Sequence, residues 1–67
     1  MILLNGRTSD VTPGETLIDV LGALGLSEDS RGVAVAVDGE IVPRAAWASF
    51  AVQADARVEV LTAMQGG

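Results

Sequence analysis

Short apolar runs alternate with glycine-containing dipeptides along this chain, a pattern typical of strands joined by tight turns. The first run, residues 2–4, is followed directly by Asn5-Gly6. Asn-Gly favours a two-residue hairpin turn because both central residues of that turn need positive φ. We therefore predict a first strand at residues 2–4 and a short polar return strand at residues 7–11, which is expected to lie at a sheet edge.

A second hairpin is predicted in the middle of the chain. Residues 33–37 alternate valine with alanine, and Asp38-Gly39 follows them as a second hairpin signal. Residues 40–42 then form the return strand, and Pro43 ends the pairing because it has no N–H to donate.

One helix is predicted between the two hairpins. Thr16 is placed to cap its first turn, with Asp19 as the acid of a capping box. Gly25 fits the left-handed position that stops a helix. Gly22 is predicted to let the helix approach the sheet closely. The apolar residues that recur at the spacing of one helix face are Leu17, Val20, Leu21 and Leu24.

The last predicted strand covers residues 57–63. Strand alternation points Val58 and Val60 to the face that carries the helix and Leu61 to the opposite, open face. Leu61 lies beside the C-terminal tail, where a partner acting on that tail must dock. We therefore predict Leu61 and Met64 as docking residues.

These elements favour an α+β fold of the β-grasp type, with a mixed sheet of about five strands and one main helix packed on one face. The first and last strands pair in parallel at the sheet centre, since the intervening chain supplies the long crossover that parallel pairing needs. We expect Trp47 to cap the core from a short helical turn at residues 44–49, with an interface anchor as the alternative. We expect Arg44 to bridge to Asp38 or Glu40, with a partner carboxylate as the alternative. The predicted core is Ile2, Leu4, Leu17, Leu21, Leu24, Val35, Val58 and Val60.

Length and composition narrow the possible chemistry. A chain of 67 residues predicts one domain, residues 1–67, and buries only about 60% of its unfolded surface, which leaves little room for a deep cleft. The sequence contains no cysteine, histidine or lysine, so disulfides, thiolate metal sites, cysteine nucleophiles and Schiff bases are excluded. We therefore predict that the chain is not a self-sufficient enzyme and binds no cofactor or metal itself.

The charge balance bears on partners and location. The net charge is −5, the opposite of what a nucleic-acid surface requires. The acidity fits either a protein partner with a basic docking surface or solubility alone. No apolar stretch approaches the roughly 20 residues of a membrane span, and no signal peptide is predicted. We expect a cytoplasmic protein with neither nucleic acid nor membrane as partner.

The C-terminal tail, residues 64–67, is the segment with a chemical motif. It reads Met64-Gln65-Gly66-Gly67, and two terminal glycines arise by chance in roughly 0.5% of chains. Glycine lacks Cβ, so such a tail can thread a narrow channel. Gln65 and Gly66 are expected to occupy that channel, which would bring the Gly67 carboxylate to the α-phosphate of ATP in a partner. We expect the tail to be flexible in the free protein.

The sequence resembles the sulfur carrier proteins of thiamine biosynthesis over essentially its whole length. The most specific match is residues 37–44, Val-Asp-Gly-Glu-Ile-Val-Pro-Arg, followed by Trp47, and the Asn5-Gly6 turn, the Thr16-Leu17 helix start and the Gly66-Gly67 end also match. The resemblance implies a ubiquitin-like β-grasp fold. It implies an adenylating partner that uses ATP and Mg²⁺, a sulfur donor such as a cysteine desulfurase, and a thiazole synthase that receives the sulfur. Gly66 and Gly67 are carried over from the family's motif.

Other functions remain compatible with the same residues. A ubiquitin-like protein modifier would end in the same way and also need adenylation. The small subunit of a molybdopterin synthase would share the fold and the tail. A β-grasp binding module with no covalent role would tolerate a blocked or extended C-terminus.

Overall fold

The computed structural model describes residues 1–63. A five-stranded mixed sheet in the order β2-β1-β5-β3-β4 is formed, with β1 and β5 parallel and the other neighbours antiparallel. The predicted mixed sheet with one main helix is confirmed. In chain order the elements are β1 (Leu3–Leu4), β2 (Arg7–Thr8), α1 (Leu17–Ala23), β3 (Val33–Val37), β4 (Glu40–Val42), a 3-10 helix (Arg44–Ala46) and β5 (Arg57–Thr62).

Both predicted hairpin turns are confirmed by their backbone angles. Asn5 and Gly6 have φ of 53° and 81°, and Asp38 and Gly39 have φ of 51° and 87°. These positive values are those of the two-residue turn that joins twisted antiparallel strands.

The return strand of the first hairpin is shorter than predicted, because β2 ends at Thr8. The Ser9 hydroxyl donates to the Ile2 carbonyl at 2.8 Å and accepts from the Val11 N–H at 3.4 Å. The Ser9 N–H donates to the same Ile2 carbonyl at 3.2 Å, so one cross-strand backbone bond persists beyond the end of β2. The bond from the Val11 N–H is a local side-chain contact of the kind that competes with a strand ladder.

Helix α1 begins and ends as its sequence predicts. The Thr16 N–H donates to Asp19 Oδ2 at 3.0 Å and the Asp19 N–H donates to Thr16 Oγ1 at 3.3 Å, which completes the capping box. At the other end Gly25 has φ of 78°. The N–H of Gly25 donates to the Gly22 carbonyl and that of Leu26 to the Leu21 carbonyl, the paired bonds of a Schellman motif.

Two predictions about this helix are wrong. A Cβ at Gly22 would meet nothing within 4 Å, so this glycine does not serve close packing on the sheet. Leu24 is 42% exposed because it is the C-cap residue, with φ of −96° and ψ of 4°. The chain has left helical geometry there, and helical periodicity no longer directs the side chain to the core.

The core lies between α1 and one face of the sheet. Trp47 is buried, as predicted, and its indole N–H donates to the Val42 carbonyl at 2.9 Å. Leu4 is only half-buried and packs against the core from its margin. The buried apolar residues in this cluster are Ile2, Leu17, Val20, Leu21, Val35, Val37, Val42, Trp47, Val52, Ala56, Val58 and Val60.

Arg44 does not bridge to Asp38 or Glu40 as predicted. Its guanidinium donates to the carbonyl oxygens of Glu28 and Ser30 and lies over the Trp47 ring, 4.6 Å from the centroid. A guanidinium carries five N–H donors, so one arginine can donate to both carbonyls at once.

Candidate functional site

The C-terminal part of the described chain is the middle strand of the sheet. Strand β5 pairs on one side with β1 and on the other with β3. The chain therefore reaches residue 63 from the centre of the fold and not from a loose edge. A strand held on both sides gives the residues that follow it a fixed starting point.

Three hydrogen bonds define the end of β5. On the β1 side, Asn5 Oδ1 accepts a hydrogen bond from the Val60 N–H at 2.8 Å, while the Asn5 N–H donates to the Val58 carbonyl at 2.8 Å. On the β3 side, the Ala63 N–H donates to the Gly32 carbonyl at 2.7 Å. The last described residue is therefore held to the sheet by the β3 side.

The predicted site residues divide into one that is described and four that are not. Leu61 is 58% exposed and lies opposite Ala34 of β3, on the face away from the buried Val60. Its predicted orientation is confirmed, and its docking role stays a prediction. Met64, Gln65, Gly66 and Gly67 lie outside the described residues.

A second exposed apolar residue on the same face escaped the sequence analysis. Ile41 is 67% exposed and pairs with Ala36, which also pairs with Glu59. The signal was present, because a two-residue turn at residues 38–39 fixes the register that places Ile41 opposite Ala36. We call the sheet surface opposite α1 the open face; its residues include Leu3, Ala34, Ala36, Ile41, Arg57, Glu59 and Leu61.

The open face combines apolar and charged positions. Along β5, the exposed residues on this face are Arg57, Glu59 and Leu61 in that order, so the two charged side chains come first and the apolar one lies nearest the C-terminal end. The Asp38 carboxylate accepts from the Arg57 N–H at 2.9 Å and fixes the start of the strand. Leu61 and Ile41 are the large apolar side chains that stay mostly exposed on this face.

The remaining charged groups show no reactive cluster in the part of the chain that is described. The Met1 ammonium forms a hydrogen bond and an ion pair with Asp55, and these lower the pKa of that carboxyl group. No group of three or more histidine, cysteine, aspartate or glutamate residues within residues 1–63 could hold a metal ion. None of the helices in residues 1–63 is long and apolar enough to cross a membrane.

The fold and the site together define a β-grasp protein: a mixed sheet, one helix on one face, and a central C-terminal strand parallel to the first. The model of the ThiS family matches residues 2–67, and the chain therefore belongs to the ThiS family. The predicted resemblance to the sulfur carrier proteins of thiamine biosynthesis is confirmed.

Solved structures agree with this assignment. One is the crystal structure of the thiamine biosynthesis protein ThiS from Geobacter metallireducens, whose sequence is 29% identical to this chain. The TM-score is 0.75, and the match covers 98% of this chain and 97% of that one. The solution structure of a thiamine biosynthesis protein from the same organism is 29% identical with a TM-score of 0.77, covering 98% and 86% of the two chains. No curated protein matches the sequence. Family and neighbours support a sulfur carrier role and interaction with partners of the thiamine pathway.

Proposed function

We propose that the chain carries sulfur on the C-terminal carbon of Gly67 for thiamine thiazole synthesis in the cytoplasm. An adenylating partner uses ATP and Mg²⁺ to activate the Gly67 carboxylate, a sulfur donor converts it to a thiocarboxylate, and a thiazole synthase receives the sulfur. The observation that carries this proposal is the diglycine end that follows a strand anchored at the sheet centre. The chain acts as a protein co-substrate of these enzymes.

The chemistry balances at each step. A carboxylate oxygen attacks the α-phosphorus of ATP and pyrophosphate leaves, which gives an acyl adenylate. A sulfur nucleophile then attacks the acyl carbon, and AMP leaves with the bonding pair. If the donor is a cysteine persulfide, the product is an acyl disulfide. A second thiol must then cleave the S–S bond, releasing the thiocarboxylate and leaving a disulfide between the two thiols.

The length of the tail limits where the partner's active site can lie. Four residues separate Ala63 from the end of Gly67, and four extended residues span at most about 14 Å. The reacting phosphate must therefore come within about that distance of Ala63. Gln65 and Gly66 would thread the channel between them, and a side chain at position 67 would crowd the reacting carbonyl.

The short reach of the tail supports a docking surface next to the end of β5. Leu61 lies there on the open face, with Ile41 further across the sheet. We propose that the partner buries Leu61, Ile41 and Met64 while the tail enters its active site. An apolar side chain that becomes fully buried contributes about 1.5 to 3 kcal/mol before the costs of association.

Intact-mass spectrometry tests the proposal. Wild-type protein is incubated with the adenylating partner, ATP and a sulfur source, and fragmentation locates the modification. We expect the mass to rise by one sulfur minus one oxygen at Gly67. Gly67→Ala should slow adenylation by about a hundredfold, because a misplacement of about 1 Å can cost that much in rate.

A chain with one residue added after Gly67 is the sharper control, because it keeps both glycines but moves the carboxylate out of register. It should melt like the wild type and show no sulfur exchange. Equal exchange in the extended chain, or none in the wild type, contradicts the proposal.

A further inference from the structure

Arg44 links the core to the loop that precedes β3. One face of its guanidinium lies on the buried Trp47 ring at 4.6 Å from the centroid. Its two terminal nitrogens donate to the carbonyl oxygens of Glu28 and Ser30, the latter at 2.8 Å. Arginine held by a ring and two acceptors has little freedom left, so it can hold the loop in one position.

The loop itself, residues 27–32, is a tight turn between α1 and β3. The Ser27 N–H donates to the Ser30 hydroxyl at 2.9 Å, and the Ser30 N–H donates to the Ser27 carbonyl at 3.1 Å. Arg44 therefore binds a loop that its own Ser27–Ser30 hydrogen bonds already hold in a turn. Only Arg31 separates the gripped carbonyl of Ser30 from the last residue of the loop, Gly32.

Gly32 in turn contacts the point where the C-terminal tail begins. Its carbonyl accepts the Ala63 N–H at 2.7 Å. Its φ is 69°, and a Cβ placed on it would come within 3.1 Å of the Ala63 Cβ. The hydrogen bond and this close approach couple the end of the loop to Ala63.

We infer that Arg44 is a positioning residue for the C-terminal tail. It holds residues 27–32 against the core, and Gly32 at the end of that loop holds Ala63, the residue that precedes the tail. This inference rests on the proposed function for its role in catalysis, because the tail delivers Gly67 to the adenylating partner. Arg44 acts through the loop and contacts neither the partner nor the reacting atoms.

Amide hydrogen exchange of the full chain, measured by NMR, tests the contact without any partner. Arg44→Gln should raise the exchange rate of the Ala63 amide up to about tenfold, the factor that corresponds to losing a typical net hydrogen bond. Arg31→Gln is the matched control, because it removes the same charge next to the carbonyl that Arg44 holds, and the Arg31 side chain makes no hydrogen bond within residues 1–63. The Val35 amide in the core reports global stability in every variant.

Steady-state adenylation separates positioning from docking. With Arg44→Gln we expect kcat to fall about tenfold to a hundredfold with KM little changed, because the chain still docks but presents its carboxylate poorly. Gly32→Ala should produce the same pattern from the other side of the contact, since the added methyl group displaces Ala63. Arg31→Gln should leave both constants and the Ala63 exchange rate unchanged.

Two outcomes would overturn the inference, and a third would overturn the proposed function alone. A rise in KM at constant kcat for Arg44→Gln would mean that Arg44 contacts the partner, and this overturns the inference. An Ala63 exchange rate that follows the Val35 rate in Arg44→Gln overturns it too. If the wild type is not adenylated at all, the proposed function fails, and the exchange experiment alone still decides whether Arg44 holds Ala63.

Discussion

The two faces of the sheet show how one strand serves two purposes. Along β5, Val60 is 7% exposed on the face covered by α1, whereas its neighbour Leu61 is 58% exposed on the open face. Consecutive residues of a strand point to opposite faces, so a single hydrophobic run supplies both. A chain this short builds its core on one face. The large apolar side chains of the other face, Leu61 and Ile41, stay exposed in the folded chain, and these are the side chains that we propose for docking.

Truncating the covered face should produce the largest loss of stability. Leu21→Ala removes a fully buried side chain of α1, and we expect the free energy of unfolding to fall by about 2 to 5 kcal/mol. Leu24→Ala is the control on the same helix, where an exposed side chain should cost about 1 kcal/mol or less. Urea melts measure both. Equal losses in the two variants would contradict the assignment of Leu24 to the surface.

A charge on the open face should affect binding instead of stability. Leu61→Asp is expected to weaken the complex with the adenylating partner about tenfold or more, as loss of an interface anchor does. Its unfolding free energy should change by about 0.5 kcal/mol or less. Isothermal titration calorimetry measures the affinity.

Thr62→Asp sharpens this test, because it adds the same charge one residue later on the other face of β5. We expect it to bind more tightly than Leu61→Asp. If both variants, or neither, lose affinity, the open face is not the docking surface.

The helix that covers the core depends on its cap. Thr16→Ala removes the hydroxyl that accepts the Asp19 N–H, and such a loss costs about 1 kcal/mol. Thr12→Ala provides the comparison, because the Thr12 hydroxyl makes no hydrogen bond within residues 1–63. Thermal melts of the two variants should differ. Identical melting temperatures would show that the capping box contributes nothing.

The ion pair between Met1 and Asp55 lies on neither face of the sheet, and its removal should have the smallest effect on stability. The pKa of Asp55 is lowered in the folded state by the N-terminal ammonium. The stability that this ion pair adds to the folded state is therefore fully present above the unfolded pKa of about 3.9, and it is lost as the pH falls through the folded pKa. Asp55→Asn should lower Tm slightly at neutral pH and not at all near pH 2.

Asp10→Asn is the control for that titration, because Asp10 makes no ion pair within residues 1–63. A Tm difference between wild type and Asp55→Asn that persists at acid pH would show that the carboxylate charge is not the cause.

Sequence reasoning succeeded where local chemistry decides the structure. The two positive-φ turns, the capping box of α1 and the orientation of Leu61 all follow from residues that are close in sequence. Val52 and Ala56 were missed because residues 51–56 show no periodicity. Backbone bonds such as that from the Val52 N–H to the Glu15 carbonyl, at 2.8 Å, hold this segment in the core.

The partners of Arg44 could not be read from sequence for a related reason. The Glu28 and Ser30 carbonyls are 16 and 14 residues away in sequence. Every residue carries a main-chain carbonyl, so residue type does not indicate which one an arginine will bind. Ile41 was missed although the register of its hairpin places it on the open face. Residues 64–67 lie outside the described structure, so the carrier role of Gly67 stays a prediction.

The position of β5 also means that the sheet can form only after nearly the whole chain has been made. Asn5 and Val60 meet across 55 residues of chain, and β5 is the last of the described strands to leave the ribosome. Until it arrives, the hairpin of β1 and β2 has no strand to join it to β3. Contacts of such long sequence separation are slow to form. We therefore expect nascent chains that lack β5 to be protease-sensitive, with protection gained in one step when that strand emerges.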